Sequence, residues 1–220
     1  MVAGSGKIQG SVMGKGRSGA TVRVRVKPVN PRTNKQIAQR SKFSTRTAAW
    51  RSLTAAQQLA WNAAADSGAF PLKNTLGITF QPTGAQLYNQ LNLNIVKVGG
   101  TVITDPPQKA EIPAILLGAL TPSAGGPEIN QAYTGTLGTD HSLAIFATAQ
   151  LSPGISRPGK SKFRFITAAT GASPIEFYSA YESIFGSLTL GQKIFVYAET
   201  VAELTGATAQ AGSSVGVVGA

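Results

Sequence analysis

The chain has no cysteine and a single histidine among its 220 residues. Without thiols there is no disulfide framework, no thiolate zinc site and no cysteine nucleophile, and one imidazole leaves no basis for a histidine-rich metal site or a histidine relay. Acidic residues are scarce, nine against twenty Lys and Arg, and the first of them is Asp66. Charged residues make up only 13% of the chain and hydrophobic ones 42%, which excludes both a disordered tail and a charge-laced coiled coil. Long apolar runs are missing too. The longest uncharged run, 74–96, is filled with Asn, Gln, Gly and Thr and does not read as a membrane span. The opening MVAGSGKIQG holds no apolar stretch, so no signal peptide is expected. What is plentiful is glycine, at 25, with 12 prolines beside it, which points to many turns and a substantial β content. The length suits one large domain or two small ones, with a core that needs no staples.

The formal net charge of +11 is concentrated at one end. Residues 1–65 hold twelve Lys or Arg and no Asp or Glu, residues 66–110 hold three basic and two acidic, and residues 111–220 hold five basic and seven acidic. A basic front end joined to a nearly neutral back end implies an anionic partner, either nucleic acid or an acidic protein surface. The plainer alternative is a solvated basic face that maintains solubility.

Residues 1–20 are glycine-rich, and TVRVRVK follows. There Val22, Val24 and Val26 point one way, and Arg23, Arg25 and Lys27 the other. A hairpin of 7–13 with 20–27 across GKGRSG is expected, or else an arm that adds a strand to a neighbour's sheet. Pro28 and Pro31 end the strand. Thr33 with Gln36, Thr54 with Gln57 and Thr83 with Gln86 have capping-box spacing and open helices expected at 34–51, 55–66 and 84–98. In the first, Gln36, Phe43, Thr47 and Trp50 share a stripe, with Lys35, Lys42 and Arg46 on one flank. The second is apolar on two sides, at Leu59 and Ala63 and again at Trp61, as a helix is when it is buried between neighbours or held at a subunit contact. The third carries Leu87, Leu91, Ile95 and Val98 along one stripe. A short strand is expected at 77–80. After the TDPPQK linker, strands are expected at 114–120, 129–134, 143–151, 161–168, 193–201 and 207–218, with a helical turn in SPIEFYSAYESIFG. The domain reading is a basic arm or hairpin over 1–30, a three-helix module over 31–100 and a β-sandwich over 105–220, an α+β fold overall.

Catalytic motifs fail on inspection. AGSGK and GKGRSG lack the spacing of a phosphate-binding loop, since Lys7 is followed by Ile8 and Lys15 by Gly16. Asp140-His141-Ser142 holds three catalytic residue types, but neighbours in sequence do not converge as a triad does, and TLGTDHS reads as a β-turn. Glu199 with Glu203, and Glu176 with Glu182, show no spacing that acid–base work demands. No cofactor and no metal site is expected, and the chain does not read as an enzyme. Nucleic-acid binding has more support. Arg23, Arg25, Lys27, Arg32, Lys35, Arg40, Lys42, Arg46 and Arg51 can neutralise phosphates, with backbone contact and no sequence readout. Trp50 and Trp61 fit hydrophobic stripes better than stacking platforms.

Two resemblances follow from these residues. The ending LTLGQKIFVYAETVAELTGATAQAGSSVGVV resembles the closing strands of a fibronectin type III or related immunoglobulin-like domain, with Ile194 where a corner tyrosine is usual. GKI, a glycine–serine turn, NPRT and the Gln36, Arg40, Phe43 run (Q-x-x-x-R-x-x-F), followed by LTAAQQLAWNAAA and LYNQLN, resemble a family of Bacteroidetes and Bacteroidetes-phage proteins. That resemblance implies a tailed-phage virion component, made in the host bacterial cytoplasm. Its partners would be other virion proteins and copies of itself, with packaged DNA as a further contact and no membrane. The residues expected to meet an anionic partner are Arg23, Arg25, Lys27, Arg32, Lys35, Arg40, Lys42 and Arg46. Two other readings stand beside it: a non-specific nucleic-acid-binding protein using the basic residues of 7–51, and an adhesin-like module that would bind a surface glycan through the strand-rich part alone.

Overall fold

The computed structural model describes residues 6–8, 10–16, 19–26, 29–74, 76–109 and 111–220. Helices and antiparallel sheets occur together, as the α+β expectation holds. The chain divides into two compact units, Met1–Leu93 with Thr104–Lys109, and Asn94–Ile103 with Ala110–Ala220.

In the first unit the glycine-rich front folds as a three-stranded meander of β1 (Gly6–Ile8), β2 (Ser11–Gly16) and β3 (Gly19–Val24). The hairpin expected here is displaced. β3 pairs with Ser11–Gly16, from Ser11↔Val24 to Gly16↔Gly19, and Gly6–Ile8 is a separate strand on the far side of β2. Turn chemistry accounts for the shift. Gly10 opens an additional turn, and Gly19, at φ 102, adopts a backbone conformation that only glycine takes without strain just where the second hairpin closes. Lys27 and Pro28 lie outside the described residues, so the outward cation expected at Lys27 has no described position.

Three helices follow: α1 (Asn34–Ser52), α2 (Ala55–Asp66) and α3 (Gly84–Lys97). Each begins at the expected threonine. The hydroxyl of Thr33 accepts from the Gln36 N–H at 3.3 Å. Thr54 with Gln57 forms both arms of its box at 3.2 and 3.1 Å, and Thr83 with Gln86 does so at 3.2 and 2.9 Å. Satisfying these end N–H groups is worth about 1 kcal/mol per helix. Between α2 and α3, a two-residue ladder joins β4 (Leu72–Lys73) to β5 (Thr79–Phe80), so the strand expected at 77–80 is shorter and has a partner. The unit's core is small. Trp61, Ala65, Leu87, Tyr88 and Leu91 are buried, the Trp61 ring meets Tyr88 edge-on at 5.3 Å, and its indole N–H donates to the Thr104 carbonyl at 2.7 Å. This settles the two-sided α2, for its Trp61 face is buried while Leu59 is 70% exposed. Among the residues from 6 to 60 whose side chains are described, none is buried.

The second unit holds β6 (Leu116–Ser123), β7 (Glu128–Thr134), β8 (His141–Ala147), β9 (Arg164–Ala169), β10 (Ile175–Glu176), α4 (Tyr178–Phe185), β11 (Lys193–Ala202) and β12 (Thr208–Val217). One antiparallel sheet runs β10-β7-β6 and the other β12-β11-β8-β9. Strand alternation sends Leu143, Ile145, Ile194 and Val196 of the second sheet and Leu120, Ile129 and Ile175 of the first into one hydrophobic cluster, with Tyr181 of α4. The helical turn expected at this point is a two-turn helix preceded by the short strand β10, and the strand expected at 143–151 stops at Ala147. Gln131, fully buried, resolves a polar problem in this cluster. The β6–β7 ladder shifts register between Leu117 and Leu120, and the Gln131 amide donates to the Gly118, Ala119 and Ala132 carbonyls at 3.2, 3.4 and 2.7 Å. Its oxygen accepts from the Ser214 hydroxyl of the other sheet at 2.5 Å. Carbonyls that the bulge leaves out of the ladder are thereby paired, and the buried amide itself is satisfied. No helix among the described residues is long and apolar enough to cross a membrane.

Candidate partner-binding surface

Arg23 lies on β3 and Arg25 just beyond it, and both are exposed. Arg23 stands across from Val12, which pairs in turn with Lys7 on β1, so two cations flank one residue of the central strand. The opposite face carries Val22, Val24 and, past the strand end, Val26, which are 65%, 71% and 71% exposed. β3 is the last strand of its sheet, and its free edge offers unpaired backbone groups. A row of bare valines, a row of arginines and a free edge therefore meet on one strand.

Arg32 adopts φ 51, the left-handed region, immediately before the Thr33 cap. On α1, Lys35, Lys42 and Arg46 fall on one flank at helical spacing. Arg40 and Arg51 lie on another, beside a groove lined by Phe43 and Thr47. Ile37 is 51% exposed and Phe43 55%, and this 19-residue helix buries none of its residues. No ion pair joins Arg23, Arg25, Arg32, Lys35, Arg40, Lys42 or Arg46 to a carboxylate among the described residues. α1 groups Lys35, Lys42 and Arg46 on one flank and sets Arg40 apart from them, and the strand brings Arg23 and Arg25 together. Trp50 packs its ring 5.6 Å from that of Tyr88, and Trp61 is in the core, so both tryptophans serve packing. Burial raises the Tyr88 phenol above its usual range, and the Arg46 charge offsets part of that rise.

The residue groups tested for chemistry are used otherwise. Asp140 ends a turn, whereas His141 and Ser142 open β8. The Ser142 hydroxyl donates to the Glu203 carboxylate, and the Glu203 N–H donates to the Asp140 carbonyl at 2.8 Å, so the cluster ties β8 to the end of β11. Glu176 accepts from the Tyr178 N–H at 2.5 Å at the start of α4, while Glu182 accepts from the Tyr178 hydroxyl at 2.7 Å. That last bond is the main reason the Tyr178 phenol is raised. Glu199 lies 3.6 Å from the Lys97 ammonium.

A second surface was not singled out by sequence reading. On the outer face of the β12-β11-β8-β9 sheet, Phe146 and Tyr197 stack at 4.5 Å, Phe165 meets Phe146 edge-on at 5.6 Å, and Phe163 meets Tyr197 at 5.0 Å. Beside them is a cleft of about 460 Å³. Phe163, Phe195, Tyr197 and Val215 are apolar lining residues, and Arg157, Lys160, Glu199, Gln210 and Ser213 are polar ones. Burial, and then the Glu199 charge, raise the Tyr197 phenol, which stays a hydrogen-bond donor at neutral pH. The available signal was the outward row Phe195, Tyr197 and Glu199 together with Phe163 and Phe165. It needed the strand pairing to become one place.

Comparison with protein-family models, with curated proteins and with solved structures finds no match to this chain.

Proposed function

We propose that the chain is a non-enzymatic structural subunit of a bacteriophage virion, in a capsid-auxiliary or neck/tail-connector position. It assembles through its basic front half with other virion proteins and with copies of itself. The observation that carries this reading is β3: a free sheet edge with an exposed row of valines on one face and, on the other, arginines that no carboxylate among the described residues pairs. A three-stranded sheet that buries none of its described side chains gains stability by adding to another sheet, and main-chain bonding makes that addition tolerant of sequence. The cations direct it to an acidic surface. The motifs at GKI, NPRT and Gln36, Arg40, Phe43 support the virion assignment.

The second unit is read as immunoglobulin-like, and strand order supports this. The first, second and fifth of its seven strands share one sheet, and the third, sixth and seventh share the other, with the fourth beside the third. The exposed α1 cations favour one competing reading, non-specific binding of packaged DNA. The molecular mass of the protein in solution, with and without a short duplex at 50 and 200 mM salt, separates the two. An oligomer that ignores duplex and survives salt is expected. A monomer whose duplex affinity falls roughly a thousandfold or more over that range overturns the assembly reading in favour of nucleic acid.

A further inference from the structure

Four of the five Lys and Arg residues after position 110 fall within eight positions, at Arg157, Lys160, Lys162 and Arg164, and no Asp or Glu occurs from 141 to 175. The stretch is a local cationic island in a half of the chain where acids outnumber bases. Arg157 and Lys160 are the two that line the cleft beside β11, and both are exposed. The one carboxylate there, Glu199, is engaged by Lys97 at 3.6 Å, and that ammonium also lies 5.3 Å from the centre of the Phe146 ring. The cleft therefore combines net positive charge from Arg157 and Lys160, an apolar part from Phe195, Phe163 and Val215, and hydrogen-bonding groups at Ser213, Gln210 and Glu199, which the pairing of β11 with β12 sets next to one another.

We propose that this cleft binds an acidic saccharide of one or two rings, its carboxylate taken by Arg157 and Lys160, its ring set on Phe163 and Phe195, and its hydroxyls bonded to Ser213, Gln210 and Glu199. Each feature excludes an alternative. A small inorganic anion leaves the apolar part unused. A fatty carboxylate sets hydrocarbon against Ser213, Gln210 and Glu199, where buried polar groups lose their partners. Tyr197 is not the platform for a nucleobase, being already stacked on Phe146 and packed against Phe163, and the oligo-dT arm of the test decides whether a base takes the Phe195 side instead. A sugar acid has apolar C–H faces, donors and acceptors around its rim, and a carboxylate that a guanidinium holds in two parallel hydrogen bonds. The volume lies within the roughly 300–1,000 Å³ of small-ligand sites and suits one or two rings.

The test is a titration of the full chain, followed by backbone NMR shifts at Phe195, Tyr197 and Ser213. The probes are digalacturonate and 3′-sialyllactose, each beside its uncharged counterpart, the digalacturonate dimethyl ester and lactose, and beside acetate and an oligo-dT strand. At least one acidic saccharide is expected to saturate those shifts, with its neutral counterpart at least tenfold weaker and acetate without effect. Losing one charged hydrogen-bond partner is worth about ten- to a hundredfold in affinity, so Arg157→Gln is expected to weaken binding by that factor. Lys162→Gln, outside the cleft, is expected to leave it unchanged. Equal binding of the neutral counterparts, binding of acetate alone, tighter binding of oligo-dT at the same resonances, or no saturation by either acidic saccharide overturns the proposal.

Discussion

At Gly84 the first turn of α3 comes so near α2 that a methyl group has no room. A Cβ there would sit 2.4 Å from the Asn62 side-chain oxygen, 2.7 Å from the Asn62 nitrogen and 2.9 Å from the Trp61 carbonyl carbon. Two of those atoms are backbone, so Gly84→Ala is expected to cost about 1–3 kcal/mol despite alanine's better helix propensity. Gly126→Ala, where nothing lies within 4 Å of the added atom, is expected to be close to neutral. Chemical denaturation of both variants checks the pair. Gln131→Leu is a sharper probe of the strand-rich unit. It strips partners from the Gly118 and Ala119 carbonyls and the Ser214 hydroxyl, which are only partly shielded from water, and is expected to lose about 1 kcal/mol. The buried phenols give a pH prediction. Tyr88, Tyr181 and Tyr197 are raised mainly by burial, and Tyr181 also donates to the Thr148 carbonyl at 3.0 Å. An unfolded phenol ionises near about 10, so below that value both states hold the proton and stability is unaffected. Above it the unfolded chain binds fewer protons than the folded one, and stability falls until the folded phenols ionise. Denaturant midpoints are expected to hold to about pH 9.5 and then drop, with Tyr181→Phe showing a shallower drop.

The helices and the arm answer different questions. Thr54→Ala and Thr83→Ala each remove a full capping box and are expected to lower stability by about 1 kcal/mol in denaturant unfolding, whereas Thr33→Ala acts on a helix with no buried residue. The starts of α1, α2 and α3 were legible because a cap is local: a threonine and a glutamine three residues on decide it without reference to the rest of the fold. The first hairpin was only partly legible, since alternation marked β3 while its register depended on where the glycine turns fell. For the arm, reversing the charge at Arg23 and Arg25 is expected to weaken partner binding at least tenfold more than the same reversal at Lys162 and Arg164. Binding to the partner or to the particle, measured at two salt concentrations, decides this, and equal losses would reduce the front-end charge to a solubility device.

Across the whole molecule, every buried apolar residue among those described lies at or beyond Trp61. Deleting residues 1–30 is therefore expected to leave the near-ultraviolet circular dichroism and the thermal midpoint unchanged while abolishing incorporation or self-assembly. Normal incorporation of the truncated chain would remove the anchoring role from the arm. The sequence alone determined the charge asymmetry, the absence of thiol chemistry, the starts of α1, α2 and α3 and the approximate positions of most strands, because composition, capping and alternation act within a few residues. The tertiary structure decided which face of α2 is core, because Leu59 and Trp61 are equally apolar and only Tyr88 and the Thr104 carbonyl distinguish them. It also decided that the valines of β3 stay bare, since alternation marks a face without saying what covers it. And it drew Arg157, Phe163, Tyr197, Glu199 and Ser213 into one cleft, for residues that far apart in the chain meet only once strands have paired in register.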